Sequence, residues 1–478
     1  MIYDTKIHLK DLQKTTKLCI NIVEQYKWLI DSYVLDFFVD EHWSKLPSSW
    51  KSFLDRATPD DLAFLIDLQN DEIAHSITHV WPLEILALKA SIKTYSLKRN
   101  PIGRLELCKN LGLVQKLEDE IFQEWPSNCT DELTTEGGQH KGLKHVFRKH
   151  IKPKKQHEIV RMSQLALMLA NKTKEQNKID IGAGLGHLSR LLSFGHDFNV
   201  VCLEAEDQFG STAIQFDQDL IKASTKANPC SDATSKSPKH VTLNVDPRLD
   251  SKIFEVKTDE IFLNKIFGLV GLHTCGDLGP TIIRLYAETA KASSLQSVGC
   301  CYMHLKEAFP LSQVIKSVSN SLQLSYVALE LACHAIETYK DRLKALDERE
   351  KLKVHCRRAL LELLLQNKRP DLRHKGLKTV KNSHLMPFKE YVTKATHGLD
   401  VNFNEEELEN DVMKVKQDQW WRVVAFYTLR LLFAPLIETL VLLDRCLYLH
   451  DKGFPCSLAP LFDPKLSPRN FVIYSVKK

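Results

Sequence analysis

The chain has 478 residues, 44% hydrophobic and 26% charged, with 65 Lys and Arg against 60 Asp and Glu. That length exceeds one ordinary core and implies two or three domains of a soluble globular protein. A formal charge of +5 excludes no class of partner by itself, and twelve cysteines without a CxxC pair exclude a disulfide framework and point to a reducing intracellular compartment, cytoplasm or nucleus.

Residues 1–140 read as a helical domain. The opening MIYDTKIHLKDLQ lacks the apolar core of a signal peptide. Apolar residues recur at helical spacing over 18–38, 60–68 and 81–97. Thr58-Pro59-Asp60-Asp61 supplies an N-cap, a proline in the first turn and early acids. From Lys141 to Arg161 eight basic residues face one acid, Glu158. Such a run binds polyanions or forms a solvated helix face. Its end, Lys154-Lys155-Gln156-His157-Glu158, opens a helix reaching about Ala170.

The most informative stretch is NKIDIGAGLGH, residues 177–187. An apolar strand carries Asp180 and runs into Gly182, Gly184 and Gly186. A short helix follows, then a second strand, FNVVCLE, ending in Glu204. This is the nucleotide-binding half of a Rossmann-type sheet. The glycines let backbone approach a ligand, and the terminal acid accepts from ribose hydroxyls. The spacing is G-x-G-x-G, and the acid before it repels phosphate but suits a cation. The pattern therefore fits S-adenosylmethionine, which has no phosphate and carries an ammonium and a sulfonium, better than a dinucleotide.

Residues 223–240 are polar and aperiodic and read as a disordered insertion. A weak strand is predicted at 240–246, and stronger ones near 268–273 and 297–301. Residues 305–450 read as a mostly helical insertion, with a second basic loop at 367–381. The segment 420–449 is very apolar, but Arg430, Glu438, Asp444, Arg445 and Pro435 interrupt it. No uninterrupted run reaches the ~18–20 residues of a bilayer span, so buried core helices are expected rather than membrane association. The C-terminus reads as two short strands around a turn, with 471–476 antiparallel in the same sheet.

The blocks PKKQHEI (153–159), DIGAGLGHLSR (180–190), GLHTCGDLGPTIIRL (271–285), GCCY (299–302), TLRLLFAPLIETLVLLDR (428–445) and PLFDPKLSPRN (460–470) resemble the methyltransferase-like family named for a ribosomal RNA adenine dimethylase domain. The resemblance is strong from about 140 onward. It implies an α/β class I, Rossmann-like methyltransferase domain over 141–478, a seven-stranded sheet and S-adenosylmethionine as cofactor. True adenine dimethylases carry N-[LI]-P-[YF] after the fourth strand, whereas this chain has His273-Thr274-Cys275-Gly276-Asp277, which argues against N6-adenine chemistry. The HTCGDL and CCY blocks are fainter relatives of the HLCG and CCHH blocks of a tRNA ribose methyltransferase family.

These readings define the expected site. Asp180, Gly182, Gly184, Gly186 and Glu204 hold the cofactor. His273 and Asp277, past the end of the fourth strand, are the candidates for proton transfer. Lys155, Gln156 and His157 are implied by the resemblance to face cofactor or substrate, with Cys300 packing there. A metal is not expected: Cys275, Cys300, Cys301 and His304 match no zinc spacing, and adjacent cysteines rarely ligate one ion well. RNA is the expected substrate, on the two basic segments. A protein methyltransferase and a catalytically silent scaffold are the alternatives.

Overall fold

The computed structural model describes residues 9–69, 80–113, 124–125, 132–133, 138–227, 236–318, 322–375 and 377–477. Seven strands form one sheet: β1 (Asn177–Ile181), β2 (Asn199–Glu204), β3 (Lys239–Thr242), β4 (Phe267–Cys275), β5 (Ala292–Cys300), β6 (Cys456–Pro460) and β7 (Phe471–Val476). Their order is 3-2-1-4-5-7-6. The pairings among β1 to β5 are parallel, and β7 is antiparallel to both β5 and β6. The expected closing hairpin is therefore present.

Side-chain alternation splits the core into two layers. Val200 and Cys202 face one side with Val270 and Val298, under Ile159, Met162, Leu165 and Leu169 of the helix Pro153–Thr173. Val201 and Leu203 face the other with Ile179 and Leu269, under Ile282, Ile283 and Tyr286 of the helix Leu278–Glu288. β1 and most of β4 are buried on both faces, which is why they read as near-continuous apolar runs.

By its internal contacts the chain divides into two compact units, and the division differs from the boundary expected at 140. One holds the sheet, from residues up to Ile20, Leu97–Gln323 and Glu438–Lys478. The other is Asn21–Ser96 with Leu324–Ile437, and its named elements are helical. The N-terminal helices thus join the predicted insertion to make the second unit, and residues 97–140 group with the sheet. The boundary was not legible because the two halves of the second unit are far apart in sequence.

Local expectations fare according to how local their causes are. The helix Pro59–Ile66 carries the full capping box between Thr58 and Asp61. The apolar stretch 18–38 is not one helix. It breaks at Tyr26 into Leu9–Gln25, Lys27–Ile30 and a turn at Val34–Asp36. Arg430 donates to the carbonyls of Leu29 and Ile30 that the break frees, at 3.3 and 2.8 Å. The disordered reading of 223–240 is corrected at both ends, since the helix Asp207–Ala227 and β3 run into it. Residues 228–235 lie outside the described residues.

The apolar segment forms two helices, Trp420–Leu431 and Ala434–Asp451. It contains an eighteen-residue window apolar enough to cross a bilayer, and that window is entirely buried in the protein. Its interrupting charges are buried there, and the two acids among them find partners. Asp444 accepts the Leu311 and Ser312 N–H groups at 2.7 and 2.8 Å, and Glu438 pairs with Arg99.

Ile473 lies opposite both Ser297 of β5 and Leu458 of β6 and is 1% exposed. Ile473→Ala is expected to cost about 2–5 kcal/mol of stability, read as a lower midpoint in urea unfolding; an unchanged midpoint would mean that the hairpin does not close the core.

Candidate active site

β1 lies between β2 and β4, so the chain leaves it toward β2 and later returns on its other side. Open α/β sheets bind ligands at that switch point, at the carboxyl ends of the strands. Gly182, Gly184 and Gly186 follow β1 with φ of 69°, 54° and 68°, a region costly for any residue with a Cβ. A Cβ on Gly182 would meet Leu278 at 3.1 Å and one on Gly186 would meet His240 at 3.3 Å, but one on Gly184 would meet nothing within 4 Å. The turn is packed at its ends and open in the middle. Glu204, at the end of β2, accepts the Gly184 N–H at 2.7 Å and the Ala205 N–H at 2.9 Å. It braces the turn while keeping lone pairs for ribose hydroxyls.

Asp180 lies beneath this turn, 2% exposed, and accepts the Ser189 hydroxyl at 2.5 Å. It acts on a cation through its field, with little of its own surface open to a ligand. Burial pushes its pKa up to about 6, against the Ser189 bond and the charge of Lys155. Burial likewise pulls the Lys155 ammonium down, against Glu158 and Asp180. Lys155 thus stands between two carboxylates, Glu158 of its own helix and Asp180 of β1.

The candidate base is held by a residue that the sequence reading passed over. His273 bulges out of β4 between Leu272 and Thr274, with φ of 67°. Such strained bulges re-aim side chains beside sites. Its Nε2–H donates to Glu158 at 2.8 Å, which leaves Nδ1 as the lone-pair atom. Glu158 is buried and also accepts the Ser467 hydroxyl at 2.7 Å, with Lys155 Nζ at 3.8 Å. Burial opposes its ionisation, but the hydrogen bond and charge of His273, with Lys155 and Ser467, hold its pKa below the ordinary value. The signal for Glu158 was there: one acid among eight bases, at a helix start.

Three expected site residues do other work. His157 is fully buried, donates from Nδ1 to Glu132 at 2.5 Å and accepts the Asp463 N–H at Nε2. Gln156 accepts the His140 N–H at 2.8 Å and donates to the Ile151 carbonyl at 2.7 Å. Both pin neighbouring segments and neither faces a ligand, because their side of the helix meets Glu132, Gln139, His140 and Asp463. Asp277 accepts the N–H groups of Lys306, Glu307 and Ala308 at 3.0–3.3 Å. It anchors that loop and makes no side-chain cap on its own helix.

Cys300 ends β5 directly opposite Cys275, with the sulfurs 3.0 Å apart. The hydrogen bond from Cys300 takes the Cys275 thiol down to about 6, and Cys300 is raised in turn. Cys301 joins them, and the three sulfurs lie within 4.8 Å of one another. The sulfurs meet although Cys300 and Cys301 are adjacent in the chain. A cavity of about 300 Å³ opens beside the glycine turn, lined by His145, Phe147, Lys149, His150, His187, Arg190 and Phe216 among others. Another of about 250 Å³ lies at the amino ends of the strands, around Asn177 and Lys265, away from the chemistry.

A family model described as a methyltransferase domain matches residues 154–308, a span that holds the glycine turn, Glu158, His273 and the cysteines. The open Gly184 cradle and Glu204 fit S-adenosylmethionine, the ligand expected from the glycine motif. The chain is 31% identical over 227 residues to probable methyltransferase-like protein 25 of Mus musculus and 29% identical over 236 residues to that of Homo sapiens. Each alignment covers 44% of this chain and 37% of the relative, so the chain matches little more than a third of their length. A solved structure of coclaurine N-methyltransferase with N-methylheliamine and SAH aligns over 87% of this chain and 95% of its own, at 12% identity and a TM-score of 0.22.

Gly184→Arg should abolish S-adenosylmethionine binding in isothermal titration while the circular dichroism of the fold is kept; retained binding would place the cofactor elsewhere. Asp180 adds a pH dependence. Its pKa is raised from 3.8 to about 6 in the fold, so its contribution to stability is full below the lower value and lost as pH rises through the higher. The ionised form that attracts a cation appears over the same interval. Cofactor affinity is therefore expected to rise between about pH 5 and 7 and to be flat over that range in Asp180→Asn.

Proposed function

We propose that the protein is an S-adenosylmethionine-dependent methyltransferase that acts on a hydroxyl of RNA. The observation that carries the hydroxyl is the His273 imidazole, whose Nε2 is committed to a buried carboxylate. An amine acceptor needs mainly orientation, whereas a hydroxyl gains from a base. S-adenosylmethionine supplies an electrophilic methyl group with a thioether leaving group. His273 Nδ1 takes the hydroxyl proton as the oxygen attacks. Glu158 fixes the tautomer and stabilises the imidazolium that forms.

RNA is favoured by the first basic segment. Lys149 and His150 are exposed, and both line the cavity shared with His187 and Arg190, just past the glycine turn. The His150 and Phe216 rings stack there at 5.2 Å. The second segment gives less support than its composition suggested. Lys368 pairs with Glu407, Arg369 with Asp371, and Arg373 with Asp36, so much of its charge is matched locally.

The deciding experiment is transfer of labelled methyl from S-adenosylmethionine into fractionated cellular RNA and protein, with Gly184→Arg as the control. Label in RNA is expected. Label in protein alone would make this a protein methyltransferase, and cofactor binding without transfer would make it a silent scaffold. Lys149→Glu with Lys152→Glu should weaken RNA binding and flatten its salt dependence by about 0.7 in log–log slope per lost phosphate contact, leaving cofactor affinity unchanged.

A further inference from the structure

We propose that Cys275, Cys300 and Cys301 form a mononuclear zinc site at the carboxyl edge of β4 and β5. Two features of the backbone build it. The bulge at His273 shifts the register of β4 by one residue, so that Cys275 falls opposite Cys300 rather than beyond it. In extended backbone, Cys301 would point away from Cys300. Its φ of 40° and ψ of 51° break that alternation and return its sulfur to the other two. Left-handed backbone at a residue with a Cβ is strained and gathers at functional sites.

The dimensions suit one ion. Zinc–thiolate bonds of about 2.3 Å put the sulfurs of a tetrahedral site about 3.8 Å apart. The three sulfurs lie within 4.8 Å of one another. Cys275 and Cys300, at 3.0 Å, must open by under about 1 Å, which side-chain rotation provides. Soft thiolate donors select zinc over magnesium, calcium or manganese. Cys275 is exposed and gives the ion a path in, leaving the fourth position to solvent.

The charge balance points the same way. Three thiolates around a divalent ion carry one net negative charge. The Arg445 guanidinium is 1% exposed and packs against Gly299, the residue before Cys300. Its Nη2 is buried without a hydrogen-bond partner. Asp444 and the Tyr302 ring already face this cation, and a zinc–thiolate centre would add a second anion on the side of the unpaired Nη2.

The test uses the full chain, reduced, stripped with chelator and titrated with Co²⁺ alone, then Zn²⁺. One equivalent of Co²⁺ should bind with near-ultraviolet thiolate-to-cobalt charge-transfer absorption, and Zn²⁺ should displace it. Cys275→Ser and Cys301→Ser should each weaken binding more than about 100-fold, beyond the loss expected for an outer-shell partner. Cys333→Ser should leave it unchanged. Cys275 is exposed, so its variant keeps the test valid if a change at buried Cys300 prevents folding. No charge-transfer band, or a band indifferent to both Cys275→Ser and Cys301→Ser, would overturn the site. So would a Cys275–Cys300 disulfide whose reduced form takes up no cobalt. None of these readouts needs methyl transfer, so the site stands or falls apart from the proposed function.

Discussion

The buried carboxylate of Glu158 is the constraint around which the site is built. A carboxylate taken out of water costs several kcal/mol unless its lone pairs are met. Here they are met from two remote stretches: His273 at the end of β4 and Ser467 in the loop between β6 and β7. Losing either partner leaves the charge under-satisfied and frees the other. The strained bulge at His273 persists because this bond over-determines it. The last hairpin of the chain is thereby part of the site, although its strands only close the sheet. The neighbouring residue reinforces the arrangement, since His157 bridges Glu132 and the Asp463 N–H. One helical turn thus clamps segments on both sides of it.

The two acids of the cofactor turn divide the electrostatic work. Glu204 is at the rim, where backbone N–H groups hold it in place and its free lone pairs can read hydroxyls. Asp180 is underneath, where burial makes its ionisation costly. A charge in that position is screened less than one at the surface. Lys155 shares the field of Asp180 and Glu158. The polarity of the cleft is therefore set by a few groups whose states depend on one another.

The sheet and the glycine turn were legible because their causes are local. Apolar runs give strands, and a left-handed turn demands glycine wherever it occurs. Glu204 was legible as the end of its strand. What failed was facing. The sequence places Gln156 and His157 at a helix start but does not say which side Glu132, His140 and Asp463 will cover. Asp277 read as a candidate for proton transfer because the loop at 306–308 that it holds is remote in sequence. The cysteine cluster was hidden for a related reason: strand alternation separates Cys300 from Cys301, and only the φ of Cys301 reunites them. The unit boundary was missed because long-range packing sets it.

The position of β7 in the chain bears on how the protein is made. β7 begins about 170 residues after β5 ends. At roughly 5–20 residues per second, a ribosome takes on the order of 10–30 s to cover that distance. Throughout that interval the nascent sheet has an unpaired, apolar edge at β5, the kind of template that recruits other strands. Between β5 and β6 the described residues are helical wherever they have regular structure, and helices form from local contacts without competing for that edge. A chain laid out in this order leaves that edge of β5 without its partner strand until the C-terminus emerges.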